Sequence, residues 1–416
     1  MHRKLNRKGA LTASAVVMGL VLAACGGSDS GGSADGDKSS ISIGQVGNYS
    51  GPVPGLAGQG KGLEAFVKTV NAAGGIDGHK IDLHTADAKG DPASEVSQVT
   101  QLASKEKVVA FAGMGLTTLA GSAEFTSKQG IPVIGGNTSD LTWAVKPELY
   151  VPGAGLIGTY LQGFMAVPEG KEKVGLVYCK ESAGCTSVKT LMIDLGLSEA
   201  NGAEPVYNAE VSLASPSFTA PCLAAKQAGV QTLAVAFDGT NLIRLAKDCA
   251  KQGFNPTYAF GGTIATDEVA ASGAVEGAVS GQSQAPWFLT DGEIGKHHAA
   301  MKEYFPDVPV DSATVSGWVA GLTLQKAIEN ALAENPDSEL TSEDIRTGLG
   351  AIKDDTFNGT TPPLTFTKDG VQEQSLCAFS ITVKDGKWVS NGAEAVCPPD
   401  AIKPKADAAI TTLSKG

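Results

Sequence analysis

The chain has 416 residues, a formal charge of −12, 42% hydrophobic and 18% charged residues, and 52 glycines. That apolar content supports a buried core, and the length suggests two or three lobes rather than one. No long basic stripe occurs, so composition argues against nucleic acid and anionic membrane surfaces as partners.

The N-terminus carries Arg3, Lys4, Arg7 and Lys8, then an apolar run from Ala10 to Ala24. Fifteen residues are too few to span a bilayer comfortably. A basic segment, a short apolar core and small residues in that order read as a signal peptide, residues 1–24. Leu22-Ala23-Ala24-Cys25 resembles the lipobox of bacterial lipoproteins. The resemblance implies cleavage before Cys25, lipid on its thiol and a tether outside the cytoplasmic membrane. A plain secretory signal with an incidental cysteine is the alternative. Residues 25–40 are a Gly/Ser-rich tether, a coil spanning about 20–25 Å on average. Without the four basic signal residues, 28 Lys and Arg face 44 Asp and Glu, a charge of −16.

From residue 41 the pattern alternates strand and helix. Residues 41–47 read as a strand and 58–73 as a helix stopped by Gly74-Gly75. Residues 80–86 alternate like a strand, and Asp91-Pro92 opens a helix to about 105. Residues 108–113 and 131–135 are buried-strand runs with a helix between them. This implies a parallel sheet covered by helices on both faces. The pattern then restarts, with strands at 173–178, near 204–211, at 232–237 and at 258–261. Helices are expected at 184–200, 217–228 and 241–251. The two αβ halves are about 110 residues each. Later, a long helix is expected at 312–333, burying Trp318, Leu322, Leu324 and Ile328. A second, at 341–350, is capped by Thr341. Residues 364–366, 377–383 and 387–390 look strand-like, the last two joined by a hairpin turn at Asp385-Gly386. Residues 403–416 look like a loosely held tail.

Besides Cys25 there are Cys179, Cys185, Cys222, Cys249, Cys377 and Cys397. An even number in an exported chain suggests disulfides, with fifteen possible pairings. Pairing of sequence neighbours is the expectation: 179–185, 222–249 and 377–397. No CxxC pair or nearby histidine supports zinc.

Residues 71–92 contain Asn71-Ala-Ala-Gly-Gly-Ile-Asp-Gly-His-Lys80-Ile-Asp-Leu, then Asp87 and Asp91-Pro92. This segment resembles the branched-chain amino acid (Leu/Ile/Val) binding proteins of ABC importers, which are type I periplasmic binding proteins. The resemblance continues through Ser50-Gly51-Pro52, residues 130–134 and the repeated αβ pattern, covering about 41–400. It implies an α/β fold of two doubly wound parallel-sheet lobes joined by a three-segment hinge. The crossings are placed near 153, 284 and 372. Lobe 1 then comprises 41–153 and 285–372, and lobe 2 comprises 154–284 and 373–402. Ligand binds between the lobes, which close on it by hinge motion, the example of this family that general accounts of domain closure use.

Open α/β sheets bind ligands beyond the carboxyl ends of their strands. In the first half those ends lead to Tyr49-Ser50, Thr117-Thr118 and Asn137-Thr138-Ser139. By resemblance, the last two loops hold a carboxylate; capping of helices by Thr117 and Ser139 is the alternative. In the second half the matching residues are Ser182, Asp238 and Thr263. Amino acid binders of the family usually carry an aromatic residue near Ala183 and an acid near Thr263, and this chain has neither. Asp238 could hold an ammonium or cap a helix. Trp143, Tyr160 and Trp287 are candidates for pocket lining or for core.

Residues 55–62 nearly match a phosphate-binding loop, but Gly62 stands where Ser or Thr would ligate Mg²⁺. His297 and His298 are adjacent, a poor arrangement for a shared metal, and are expected at the surface. His79 and His84 lack ligands at metal-binding spacing. No catalytic constellation, cofactor or metal site is evident. The reading is a lipid-anchored solute-binding protein of an ABC importer, outside the cytoplasmic membrane. It captures a branched-chain amino acid or a related small carboxylate or amide and delivers it to a permease with its ATPase. The alternatives are a ligand-sensing receptor subunit of the same fold and a surface enzyme on an α/β scaffold.

Overall fold

A computed structural model describes residues 38–50, 57–165, 169–334, 336 and 339–413, all within one compact unit. The signal peptide, Cys25, most of the tether, Gly51, Pro52 and the last three residues lie outside the described residues.

The first half runs β1 (Ile41–Gly47), α1 (Ala57–Ala72), β2 (Ile81–Asp87), α2 (Pro92–Gln101), β3 (Ala110–Met114), α3 (Ala120–Gln129), β4 (Val133–Gly136), α4 (Thr142–Val145) and β5 (Leu149–Tyr150). Its strands are parallel, in the order β2-β1-β3-β4-β5. The order reverses direction between β1 and β3, which opens a crevice at their carboxyl ends.

The second half runs α5 (Leu156–Met165), β6 (Lys173–Cys179), α6 (Ala183–Lys189), α7 (Leu197–Ala200), β7 (Glu204–Val211), α8 (Thr219–Gln227), β8 (Thr232–Ala236), α9 (Gly239–Lys251), β9 (Thr257–Gly261), α10 (Asp267–Ala271) and β10 (Val279–Gln282). The chain then returns through α11 (Gly292–Tyr304), α12 (Ser312–Glu334) and α13 (Ser342–Gly350), of which α11 and α12 pack on α1 and α13 packs on α12. It ends with β11 (Phe379–Lys384), β12 (Lys387–Ser390) and α14 (Lys403–Leu413). The second sheet is ordered β12-β11-β10-β9-β8-β6-β7, with β11 and β12 antiparallel. Its parallel part repeats the reversal, now between β6 and β8.

Local chemistry explains the 71–92 motif. The Asn71 amide donates to the Ile81 carbonyl at 2.8 Å and accepts from the Ile81 amide at 2.9 Å, tying the end of α1 to β2. Asp77 and Gly78 adopt positive φ (48° and 85°) to turn the chain between them. Asp91 caps α2 by accepting from the Ser94 amide at 2.6 Å. Thr341 caps α13, as the sequence predicts, and with Asp344 it closes a capping box.

Gly58 and Gly62 of the phosphate-loop lookalike serve helix packing. A methyl on Gly62 would stand 1.9 Å from the Thr314 carbonyl oxygen, and one on Gly317 would stand 1.9 Å from that of Gln59. Only glycine lets α1 and α12 approach this closely. Phe66 and Trp318 then meet edge to face at 5.2 Å within the first core. Each such side chain contributes about 1.5–3 kcal/mol by burial.

Three segments link the sheets: after β5, after β10 and before β11. They are bonded to one another. The Ala154 amide donates to the Ser283 carbonyl at 3.0 Å, the Gln284 amide group to the Pro152 carbonyl at 3.0 Å, and Ala154 bridges to Ser375.

Several expectations are corrected. The 184–200 helix is broken, because Leu195-Gly196 leaves the helical path with Gly196 at φ 71°. Residues 364–366 form no strand; Leu364 makes only an isolated bridge to Asp355. Leu322 is half-buried rather than core. The C-terminal tail is a helix over Lys403–Leu413, with Ala406 and Ala409 buried. His297 is fully buried against Trp318, not exposed, because its place on α11 faces α12 rather than solvent. Burial, helped by His298, lowers its pKa to about 3. The six cysteines do pair as sequence neighbours, with sulfurs 2.18, 2.01 and 1.97 Å apart.

Candidate functional site

The loops after β1, β3 and β4 stand at the carboxyl ends of the first sheet. After β1, the Asp87 carboxylate gathers the loop: it accepts from the Tyr49 amide at 3.1 Å and the Ser50 hydroxyl at 2.6 Å. Desolvation works against the Asp87 charge, but hydrogen bonds from Ser50, Lys89 and Tyr49 outweigh it and lower its pKa. The Tyr49 hydroxyl turns inward and donates to the side-chain amide oxygen of Gln45, and burial raises its pKa. Tyr49 and Ser50 are therefore engaged in holding the loop.

The other two loops are joined by a residue that sequence reading passed over. Asp140 accepts from the Thr118 hydroxyl at 2.7 Å, the Leu119 amide at 3.0 Å and the Thr142 amide at 3.0 Å. It thus ties the start of α3 to the start of α4. Asn137 is buried; it donates to the Leu116 carbonyl at 2.8 Å and accepts from the Ser139 hydroxyl at 2.8 Å. Its own carbonyl accepts from the Trp143 indole at 2.9 Å. Neither Thr117 nor Ser139 caps a helix, because Leu119 and Leu141 occupy the N-cap positions of α3 and α4, without side-chain caps. Thr117 is exposed, and Thr138 and Ser139 are half-buried. Behind them, Glu95 accepts from Ser122; burial foremost, with a contribution from Asp140, raises its pKa to about 7.

At the second sheet, Ser182 caps α6 by accepting from the Gly184 amide at 3.2 Å. Asp238 caps α9, accepting from the Asn241 amide at 3.0 Å and its side chain at 2.7 Å. Glu181 holds Ser212 and Leu213 at 2.7 and 3.0 Å. Thr263 is exposed in the turn after β9. The carboxylates of Asp87, Asp140, Glu181 and Asp238 each already accept backbone amides.

The two rims approach each other. A methyl on Gly184 would stand 3.4 Å from the Ser139 carbonyl oxygen, and α12 touches the turn carrying Thr263. The core cluster of the second sheet also takes in Trp287, Val315 and Val319, with Leu141 packed against it. Trp143 and Tyr160 are core: the Trp143 indole holds Asn137, and the Tyr160 hydroxyl donates to the Val235 carbonyl at 3.2 Å. Trp287 packs edge to face on Phe288 and Trp388 at 5.4 and 6.2 Å.

Two doubly wound sheets, each with its own switch point, bonded through three crossings, define the type I periplasmic binding protein fold. The sequence profile described as periplasmic binding protein matches residues 40–387, and the chain belongs to that family. Solved structures agree in fold. A substrate-binding protein of an ABC transporter from Aeropyrum pernix has a TM-score of 0.75 at 17% identity, covering 90% of this chain and 99% of that one. A branched-chain amino acid ABC transporter protein from Thermus thermophilus with bound valine has a TM-score of 0.73 at 15% identity, covering 88% and 98%. A solute-binding protein from R. palustris in complex with benzoate has a TM-score of 0.66 at 20% identity, covering 87% and 98%. Among curated protein sequences, none matches this chain.

Proposed function

We propose that this is the lipid-anchored substrate-binding protein of an ABC importer. Residues 41–153 with 285–372 act as one lobe and 154–284 with 373–402 as the other. They clamp a small solute without altering its bonds and hand it to a permease. The observation that carries this reading is the facing of two polar strand-end rims across bonded crossings. Thr117 and Thr138 would hold a carboxylate on a rim framed by Thr118, Asn137 and Ser139, whose donors serve Asp140, Leu116 and Asn137, with Ser182, Asp238 and Thr263 closing from the other side.

Among candidate solutes, the rims favour a carboxylate or amide without a neighbouring ammonium. A buried ammonium needs a charged acceptor, and the nearby carboxylates spend much of their acceptor capacity on the protein's own amides and hydroxyls. Titration calorimetry and thermal shift against isoleucine, valine, benzoate and small amides test this. Stoichiometric binding by one class, strongest for solutes lacking an ammonium, is expected. Tight isoleucine binding with none of benzoate would overturn the preference, and silence across the panel would overturn the binding reading. Anchoring is tested separately: labelled palmitate should enter the wild type and not Cys25→Ala.

A further inference from the structure

We propose that α14 is a strap that holds the two halves closed beside the candidate cleft. The inference rests on the two-lobed clamp reading but not on the identity of the solute. α14 lies beyond residues 40–387, the span shared with the family profile.

Its root is fixed on the second half. Ile402 is 1% exposed within that core cluster, and Cys397 is joined to Cys377. Lys403 pairs with Glu373 in the third crossing. Along the helix, Ala406 and Ala409 are buried in the same cluster, and Ile410 and Leu413 pack against it. α14 touches α7 of the second half, and it also touches α4 of the first. α4 directly follows Asn137, Ser139 and Asp140, and Leu141 before it packs into the cluster that holds α14. One helix therefore bridges both halves, next to the loop whose Ser139 carbonyl meets α6.

Rotation about the crossings would draw α4 away from α7, so α14 must release one of them. The buried Ile402 and the Cys377–Cys397 link keep it with the second half, and α4 is the contact that breaks. That contact is suited to release. α4 is only four residues long, so the area it can share with α14 is small. The strap thus contributes a modest bias toward closure, enough to change how much of the free protein stands open.

The test uses the full chain stripped of retained solute by unfolding and refolding. Small-angle scattering gives the radius of gyration, and hydrogen exchange follows the amides of residues 142–146. Wild type is compared with the double variant Ile410→Asp/Leu413→Asp and with a chain ending at Ile402. We expect an upward shift in radius and an about tenfold loss of α4 protection in both variants, with cooperative melting retained. Unchanged radius and protection in a folded variant would overturn the strap. So would a wild type that is already open, with α4 unprotected. If one variant does not fold, the other decides. Because no solute is added, failure here is distinct from failure of the solute-binding reading.

Discussion

The two sheets share a winding order yet are stabilised by different means. The first half brings α1 and α12 together across glycines, where Gly62 and Gly317 lie against backbone carbonyls. The described disulfides all lie in the second half. Their rims differ likewise. Asp140 cross-links two loops of the first rim into one network, whereas Ser182 and Asp238 of the second each cap their own helix. The same topology can therefore carry a preassembled rim on one side and separately capped loops on the other.

The largest expected effect is on the covalent side. Replacing Cys222 and Cys249 by alanine opens a loop of sequence separation 27. It should cost about 3.5 kcal/mol in denaturant unfolding on the chain-entropy account. Gly317→Ala strikes the close-packed side and should cost about 3 kcal/mol, since the Gln59 carbonyl leaves no room. If the glycine change is neutral and the cysteine change severe, the first half does not depend on close helix approach.

Asp140→Ala should cost about 2 kcal/mol, by stranding the Thr118 hydroxyl and two backbone amides. It should also weaken solute binding more than a helix-cap change at Ser182 does. Equal effects on binding would erase the distinction between the rims.

Glu95 on α2 and His297 on α11 are buried and shift in opposite directions. Burial foremost raises the Glu95 pKa to about 7. The folded state therefore holds its proton longer than the unfolded state. That stability is fully present below pH ~4.5 and is lost as pH rises through about 7. Glu95→Gln should flatten this slope in melts across pH 4 to 8. His297 acts with the opposite sign: its pKa falls to about 3, so stability present above the ordinary value of 6.5 is lost as pH drops toward about 3. His297→Gln should remove that acid-side slope.

The smallest effect on folding is expected at Thr117. It is exposed, so Thr117→Val should change stability by less than about 0.5 kcal/mol. Loss of solute affinity without loss of stability would place Thr117 on the ligand.

Much of this was legible along the chain. Strand and helix periodicities located most elements, the Thr341 cap and the Asp385-Gly386 turn stood where residue chemistry puts them, and neighbouring cysteines pair. The second-half elements α5 and β10 were missed: β10 is four residues, all buried, and residues 156–164 of α5 are buried on every side, so neither shows a polar face. Asp140 was missed because it looks like any loop acid until α3 and α4 converge on it. His297 was misjudged because a histidine pair on a helix does not reveal which face another helix covers.

Local sequence thus determines hydrogen bonding and turning within a few residues: caps, stops, hairpins and strand runs. Which strands neighbour one another, which loops meet at the switch points and where the last helix docks rest on contacts between residues far apart in the chain. Those contacts depend on packing of whole faces, a property that no short segment holds alone.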